Sequence, residues 1–154
     1  MAMTMTGQVT LPAERAKVWA ALNDPEILKR SIPGCQELDK VSDTEFTATA
    51  KIAVGPVKAT FKGKVALTEI DPPNGYRISG EGQGGVAGFA KGGARVRLQD
   101  AEGGGTVLSY DVEAHIGGKL AQLGGRLING VAKKYADEFF VNFAKALAPA
   151  ETAP

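Results

Sequence analysis

The sequence predicts an α+β fold: a curved antiparallel sheet wrapped around one long C-terminal helix, with two short helices after the first strand. Three observations predict it. Apolar residues near the C-terminus recur at spacings of three and four. The middle of the chain alternates polar and apolar with period two. Two short segments, led by Pro12 and by Asp24-Pro25, separate the first alternating stretch from the others.

Met3 to Leu11 alternates weakly and reads as the first strand. Pro12 sits where a helix begins, and Val18, Trp19 and Leu22 give that helix its apolar contacts. Asp24-Pro25 opens a second short helix, which Pro33-Gly34 breaks. From there Phe46, Ala48, Ala50, Ile52 and Val54 alternate with Glu45, Thr47, Thr49 and Lys51. Gly55-Pro56 turns the chain into Val57, Ala59, Phe61, Val65 and Leu67, which alternate with lysines and Thr60. Pro72 to Gly75 is the next turn, and Tyr76 and Ile78 open a further strand. Ala94, Val96 and Leu98 form another strand, and Glu102 to Gly105 signals a hairpin. Leu108, Tyr110, Val112, Ala114 and Ile116 complete the series. One wet and one covered face is the mark of an antiparallel meander, and about six such strands are expected after the two helices.

The final helix is expected over residues 117–148, between a double glycine and Pro149. At about 1.5 Å per residue it would be roughly 45 Å long. Its apolar face is read as Leu120, Leu123, Leu127, Val131, Tyr135, Phe139, Phe143 and Leu147. Steps of four overshoot a full turn by about 40°, so this face rotates along the helix, as a twisted sheet requires. Gly124, Gly125 and Gly130 are unfavourable there by about 1 kcal/mol each relative to alanine. They permit a close strand or a kink, leave space for a ligand, or place the helix start after Gly125.

One domain over residues 1–148 is the expected organisation, with 149–154 a disordered tail. Hydrophobic content of 44% and charged content of 23% are ordinary for a globular chain. A net charge of +1 gives no bulk field for nucleic acid. No apolar run reaches the length of a transmembrane helix, and the first residues lack a signal-peptide pattern. A single cysteine, Cys35, leaves no internal disulfide, so a cytoplasmic location is expected.

The covered face is unusually rich in small residues: Ala48, Ala50, Ala59, Gly63, Gly80, Gly82 and Ala114. Small side chains at so many inward positions leave voids unless the helix packs very close or something else fills the space. Phe46, Phe61, Tyr76, Phe89 and Tyr110 would wall such a space. An internal apolar cavity is therefore expected, with close helix–sheet packing as the alternative.

Chemical motifs are few. Gly80 to Gly85 matches GxGxxG, but loop and strand follow it where the dinucleotide fingerprint needs a helix. Gly118-Lys119 is followed by Leu120, which rules out a P-loop. His115 is the only histidine and Cys35 the only cysteine, so no metal is expected. Carboxylates are scattered over polar faces and no catalytic residue is assigned; Glu81, beside the glycine-rich loop, stays a candidate. Lys119, Arg126 and Lys133 lie seven apart, a basic stripe that reads as a solvated face or as a docking surface for an acidic partner or anionic headgroups.

Four segments together resemble a known family: IPGCQEL at 32–38, VGPVKATFKGKVAL at 54–67, GEGQGGVAGFAKG at 80–92, and GGKLAQLGGRLI at 117–128 with a later Phe139-Phe140 pair. In this order they resemble CoxG, a family of carbon monoxide dehydrogenase subunits, and the similarity runs from about Met3 to Leu147. That family belongs to the START/SRPBCC helix-grip superfamily of START domains, pollen allergens and polyketide cyclases, which implies the same element order. The resemblance implies a non-catalytic accessory protein of molybdenum-containing carbon monoxide dehydrogenases or related oxidoreductases. It implies recruitment of the dehydrogenase to the membrane, hence peripheral contact with the inner face of the cell membrane, and a cavity suited to a quinone or lipid. No further cofactor is expected.

On this reading Phe46, Ala48, Phe61, Tyr76, Ile78, Phe89, Tyr110, Val112, Leu123 and Leu127 line the ligand site. Tyr76 or Tyr110 would orient a polar head. The loop Gly84 to Gly93 would gate the site. Lys119, Arg126 and Lys133 would dock the partner. The alternatives are a cyclase- or isomerase-like enzyme using Glu81 and Tyr110, and an interaction module without ligand.

Overall fold

The computed structural model describes residues 1–147. Its elements run β1 (Ala2–Leu11), α1 (Arg15–Leu22), α2 (Pro25–Ser31), β2 (Cys35–Ser42), β3 (Glu45–Val54), β4 (Val57–Asp71), β5 (Gly75–Gln83), β6 (Phe89–Asp100), β7 (Thr106–Gly117), α3 (Lys119–Gln122) and α4 (Gly125–Leu147). The expected tail 149–154 lies outside the described residues. Seven strands form one antiparallel sheet in the order β1-β7-β6-β5-β4-β3-β2. The α+β helix-grip architecture expected from the sequence is the one observed.

Local chemistry explains the boundaries. Asp24 caps α2 by accepting from the Glu26 amide at 2.9 Å, and Pro25 takes the first helical position, where no donor is needed. Helix α1 starts at Arg15, later than Pro12 suggested, with Glu14 extended as its N-cap and Ala13 tied to the sheet. There the buried Thr106 hydroxyl donates to the Ala13 carbonyl at 2.6 Å. Arg15 extends the tie, reaching Asp100 at 2.8 Å and Asn74 at 2.6 Å.

Two elements differ from the sequence reading. Strand β2 carries no clear alternation: it is an edge strand, mostly exposed, with register shifts near Cys35 and near Ser42, and Leu38 is its residue packed on the core. The final helix is also not continuous from Gly117: of the readings its glycines allow, the break at the Gly124-Gly125 pair is the one observed. Gly124 adopts φ +90°, a left-handed conformation that glycine tolerates, and it separates α3 from α4. The start at Gly125 sets the phase of α4, so Ile128 turns inward and Leu127 is left 38% exposed.

The core has two parts. At one end of the sheet, Leu11, Val18, Leu22, Phe46, Tyr76, Leu98 and Leu108 pack with Phe143 and Leu147 of α4. At the other end, Met3, Val54, Phe61, Ala87 and Ile116 pack with Leu120 and Ile128. Burying such side chains contributes about 1.5–3 kcal/mol each for the large ones, so each cluster anchors one end of α4.

Candidate ligand site between sheet and helix

Between the two clusters lies the middle of the inner face: Ala48 and Ala50 of β3, Gly80 and Gly82 of β5, Gly92 and Ala94 of β6, and Val112 of β7. These residues are half-buried, and Ala48, Ala50, Ala94 and Val112 belong to neither cluster. The helix bridges this zone, its backbone coming close to β1 at one edge of the sheet and to β3 near the other. Gly82 shows how far it stands off. A Cβ placed there would meet only the Lys62 carbonyl at 3.8 Å and the Phe61 ring at 3.9 Å, both on the neighbouring strand. Helix packing therefore does not reach this position, and the small residues around it stay half-buried.

Aromatic rings form one wall. Tyr110 stacks on Phe140 at 5.3 Å between centroids, Phe140 meets Phe139 edge-on at 5.0 Å, and Phe139 stacks on Phe143 at 5.4 Å. The Tyr110 ring lies over Gly7 of β1, where a Cβ would collide with it. Its hydroxyl is thus carried toward the β1 side of the sheet. Tyr76 is buried in the first cluster and packs on Trp19 at 5.2 Å; burial pushes its phenol well above the ordinary range.

Of the expected lining residues, Ala48, Ile78, Tyr110 and Val112 share the inner face; Ala48 and Val112 lie between the clusters, while Ile78 and Tyr110 pack against the first. Phe46 and Tyr76 close one end of that zone, and Phe61 and Leu123 close the other. Two expectations are corrected. Phe89 is paired with Gln83 and Gly117, on the outward parity of Lys91 and Arg95, and is 42% exposed. Leu127 is displaced to the rim, its Cδ2 lying 2.9 Å from a Cβ position at Gly55. The expected gate shortens too: β6 starts at Phe89, so only residues 84–88 are loop.

The basic stripe also changes. Lys119 lies in α3 and Arg126 in α4, on opposite sides of the Gly124 break. Lys133 pairs with Asp137 at 3.0 Å, and that carboxylate raises the Lys133 ammonium above its usual range. Glu81, the candidate acid, is exposed on the outer face opposite Lys64 and Lys91 and does not reach the inner space. A concavity of about 840 Å³ also lies on that outer face, bordered by Lys64, Arg77, Glu81, Lys91 and Glu113, with Ser79 and Gly93 at its floor. Among the described residues no three His, Cys, Asp or Glu side chains gather as a metal site. No helix among them is long and apolar enough to cross a membrane.

Sequence reasoning misses two residues that matter. Phe140 stands out in the sequence only as half of a Phe pair, though it stacks on Tyr110. Tyr135 reads as a core residue, yet its hydroxyl bonds both backbone groups of Ala53 on β3. A phenol among the residues of an apolar helix face is the available signal.

A half-buried face of small residues between a seven-stranded sheet and its C-terminal helix is a feature that many folds could supply, and family membership narrows it. The family described as CoxG of carbon monoxide dehydrogenase matches residues 7–148. The chain belongs to the CoxG family. Among solved structures, this CoxG chain is similar to a conserved protein from Geobacillus kaustophilus, at 31% identity and TM-score 0.88, over 94% of this chain and 95% of that one. It is similar in fold to a START superfamily protein from Mycobacterium smegmatis, at 12% identity and TM-score 0.71, covering 94% and 96%. The ZhuI aromatase/cyclase from Streptomyces sp. R1128 has the same fold at 12% identity and TM-score 0.69, covering 99% and 100%. No curated protein matches the sequence.

Proposed function

We propose that this CoxG protein is a non-catalytic accessory protein of a molybdenum-containing, carbon monoxide dehydrogenase-type oxidoreductase, and that it carries a quinone- or lipid-like molecule between sheet and helix. The observation that supports this reading most is the stand-off at Gly82, with two core clusters holding the helix at its ends and half-buried small residues between them. Apolar walls with few polar groups suit a hydrophobic ligand. The cyclase-like alternative loses support because Glu81 points away from this space.

Organic extraction of the purified protein, followed by mass spectrometry beside native mass spectrometry of the intact chain, tests the reading. A stoichiometric quinone or lipid is the expected result. An empty protein that also fails to take up an added ubiquinone or menaquinone analogue, or an added phospholipid, would overturn it.

A further inference from the structure

The two edges of the sheet are built differently. Strand β2 is blunted by Glu37, Asp39 and Lys40 and by its two register shifts, devices that keep an edge from pairing. Strand β1 has neither. It pairs with β7 in unbroken register from Ala2 to Leu11, and over that length it carries no charged side chain and no proline.

The phase of the ladder shows which groups this edge offers. Met1 and Ile116 exchange both backbone hydrogen bonds, at 2.7 and 2.9 Å. Such pairs alternate along an antiparallel ladder, so Met3, Met5, Gly7, Val9 and Leu11 also bond to β7. The N–H and C=O groups of Ala2, Thr4, Thr6, Gln8 and Thr10 therefore point away from β7, along the open edge. All five residues are exposed, β1 pairs with no other strand, and among the described residues no helix or loop hydrogen-bonds these groups. Ala53 of β3, past the last β2 pairing, shows the contrast: there the Tyr135 hydroxyl covers the free backbone.

The open edge is self-complementary about Thr6. Laid antiparallel on a second copy, Thr6 faces Thr6, Thr4 faces Gln8 and Ala2 faces Thr10, and the open backbone groups of each pair meet. The facing side chains are small or neutral and polar, and Thr–Thr pairs stabilise such contacts. On the inner face Met5 comes opposite Gly7, a long side chain against a bare one. Charge does not oppose the pairing. Asp111 stands level with Thr6 one strand back, so the two Asp111 carboxylates would lie three strand spacings apart, roughly 14 Å, beyond a screening length of about 8 Å.

We infer that β1 pairs antiparallel with β1 of a second copy of this chain, across a two-fold axis at Thr6, so that the two sheets become continuous. A strand from an unrelated protein would have no cause to match this symmetry, whereas a two-fold contact requires it. The contact is narrow, and the dimer exchanges with monomer as concentration changes.

Sedimentation velocity of the full chain, from low micromolar to millimolar concentration, is the test. A monomer that gives way to a dimer is expected. Over the same range, amide exchange should slow at Thr4, Thr6 and Gln8, while the Met3 and Met5 amides stay protected throughout. Thr6→Pro deletes the central donor without costing β7 a bond, and should weaken pairing roughly tenfold or more. Thr6→Lys and Thr6→Glu, at an exposed position, should each keep a native circular dichroism spectrum and sediment as monomers. Mixed in equal parts, the two should form dimers again. A wild-type chain that stays monomeric over the whole range would overturn the inference. Undiminished pairing in Thr6→Pro would overturn the assignment to this edge. A Lys–Glu mixture that remains monomeric would overturn the axis at Thr6.

Discussion

The Tyr135 hydroxyl accepts from the Ala53 amide at 3.1 Å and lies 3.3 Å from the Ala53 carbonyl, to which it donates. Strand β2 pairs with β3 only as far as Ala50, so Ala53 would otherwise present an unpaired edge. One phenol substitutes for the missing strand and pins the middle of α4 to the sheet. Asn142 makes a second tie, donating to the Ser31 carbonyl of α2 at 3.1 Å. Between such ties the inner-face residues Ala48, Ala50, Ala94 and Val112 stay half-buried and belong to neither core cluster.

Tyr135→Phe should therefore do more than remove a surface hydroxyl. It leaves both Ala53 groups to water and should destabilise the fold by about 1–2 kcal/mol, since each such hydrogen bond contributes about 0.5–1.5 kcal/mol net. Chemical denaturation would read the loss. Faster exchange of the Ala53 amide, with the far-end amides of α4 unchanged, would locate it. An unaltered denaturation midpoint would mean that the tie contributes nothing.

Ala48→Phe places a ring on the inner face between the two core clusters, where neither packs. Uptake of a fluorescent apolar probe such as an anthroyl-labelled fatty acid should fall at least tenfold while circular dichroism stays native. Phe89→Ser is the matched control: its ring is on the outer face, so interior uptake should be unchanged. Loss of uptake in the control but not in the first variant would move the site to the outer concavity.

Alternation made the sheet legible because five strands each have one wet and one covered face, and parity alone separates Lys64 from Val65 or Arg97 from Val96. Strand β2 escaped because an edge strand with a single core contact leaves no pattern to read. Phe89 was misplaced for a related reason. The register through the glycine-rich stretch hangs on pairings 83–89 and 89–117, which no local period reveals. An aromatic residue read by hydrophobicity was put inside when its parity puts it outside. Leu127 was misplaced by the break at Gly124, whose left-handed backbone resets the helix phase. Small residues on the inner face were readable; whether a helix fills the space beside them was not, because that depends on where its ends are pinned.

Cys35 offers a chemical check on the edge of the fold. Partial burial raises its thiol above the ordinary range, and the Lys29 ammonium opposes that only in part. The folded state thus holds this proton more tightly than the unfolded chain does. Its contribution to stability is intact below the unfolded thiol's pKa and is lost as pH rises from there through the higher folded value. Alkylation by iodoacetamide near neutral pH should be slower than for a free cysteine, and Lys29→Gln should slow it further. A faster rate in that variant would contradict the electrostatic assignment.

Gly130 and Gly88 make opposite demands, and one substitution at each separates them. Gly88 has φ +117°, and a Cβ there would collide with the Gly117 carbonyl oxygen, so the 84–88 loop and the 117–125 segment meet through bare backbone. Gly88→Ala should cost at least about 1–3 kcal/mol, as is typical of such a strained position, with the clash added. Gly130 lies inside α4 with nothing within 4 Å of its Cβ position. Gly130→Ala should stabilise the helix by about 0.5–1 kcal/mol, because it removes backbone freedom from the unfolded chain without a collision. Thermal melts of both variants read the two signs directly. A lower melting temperature for Gly130→Ala would mean that α4 needs the backbone freedom of glycine at this exposed position.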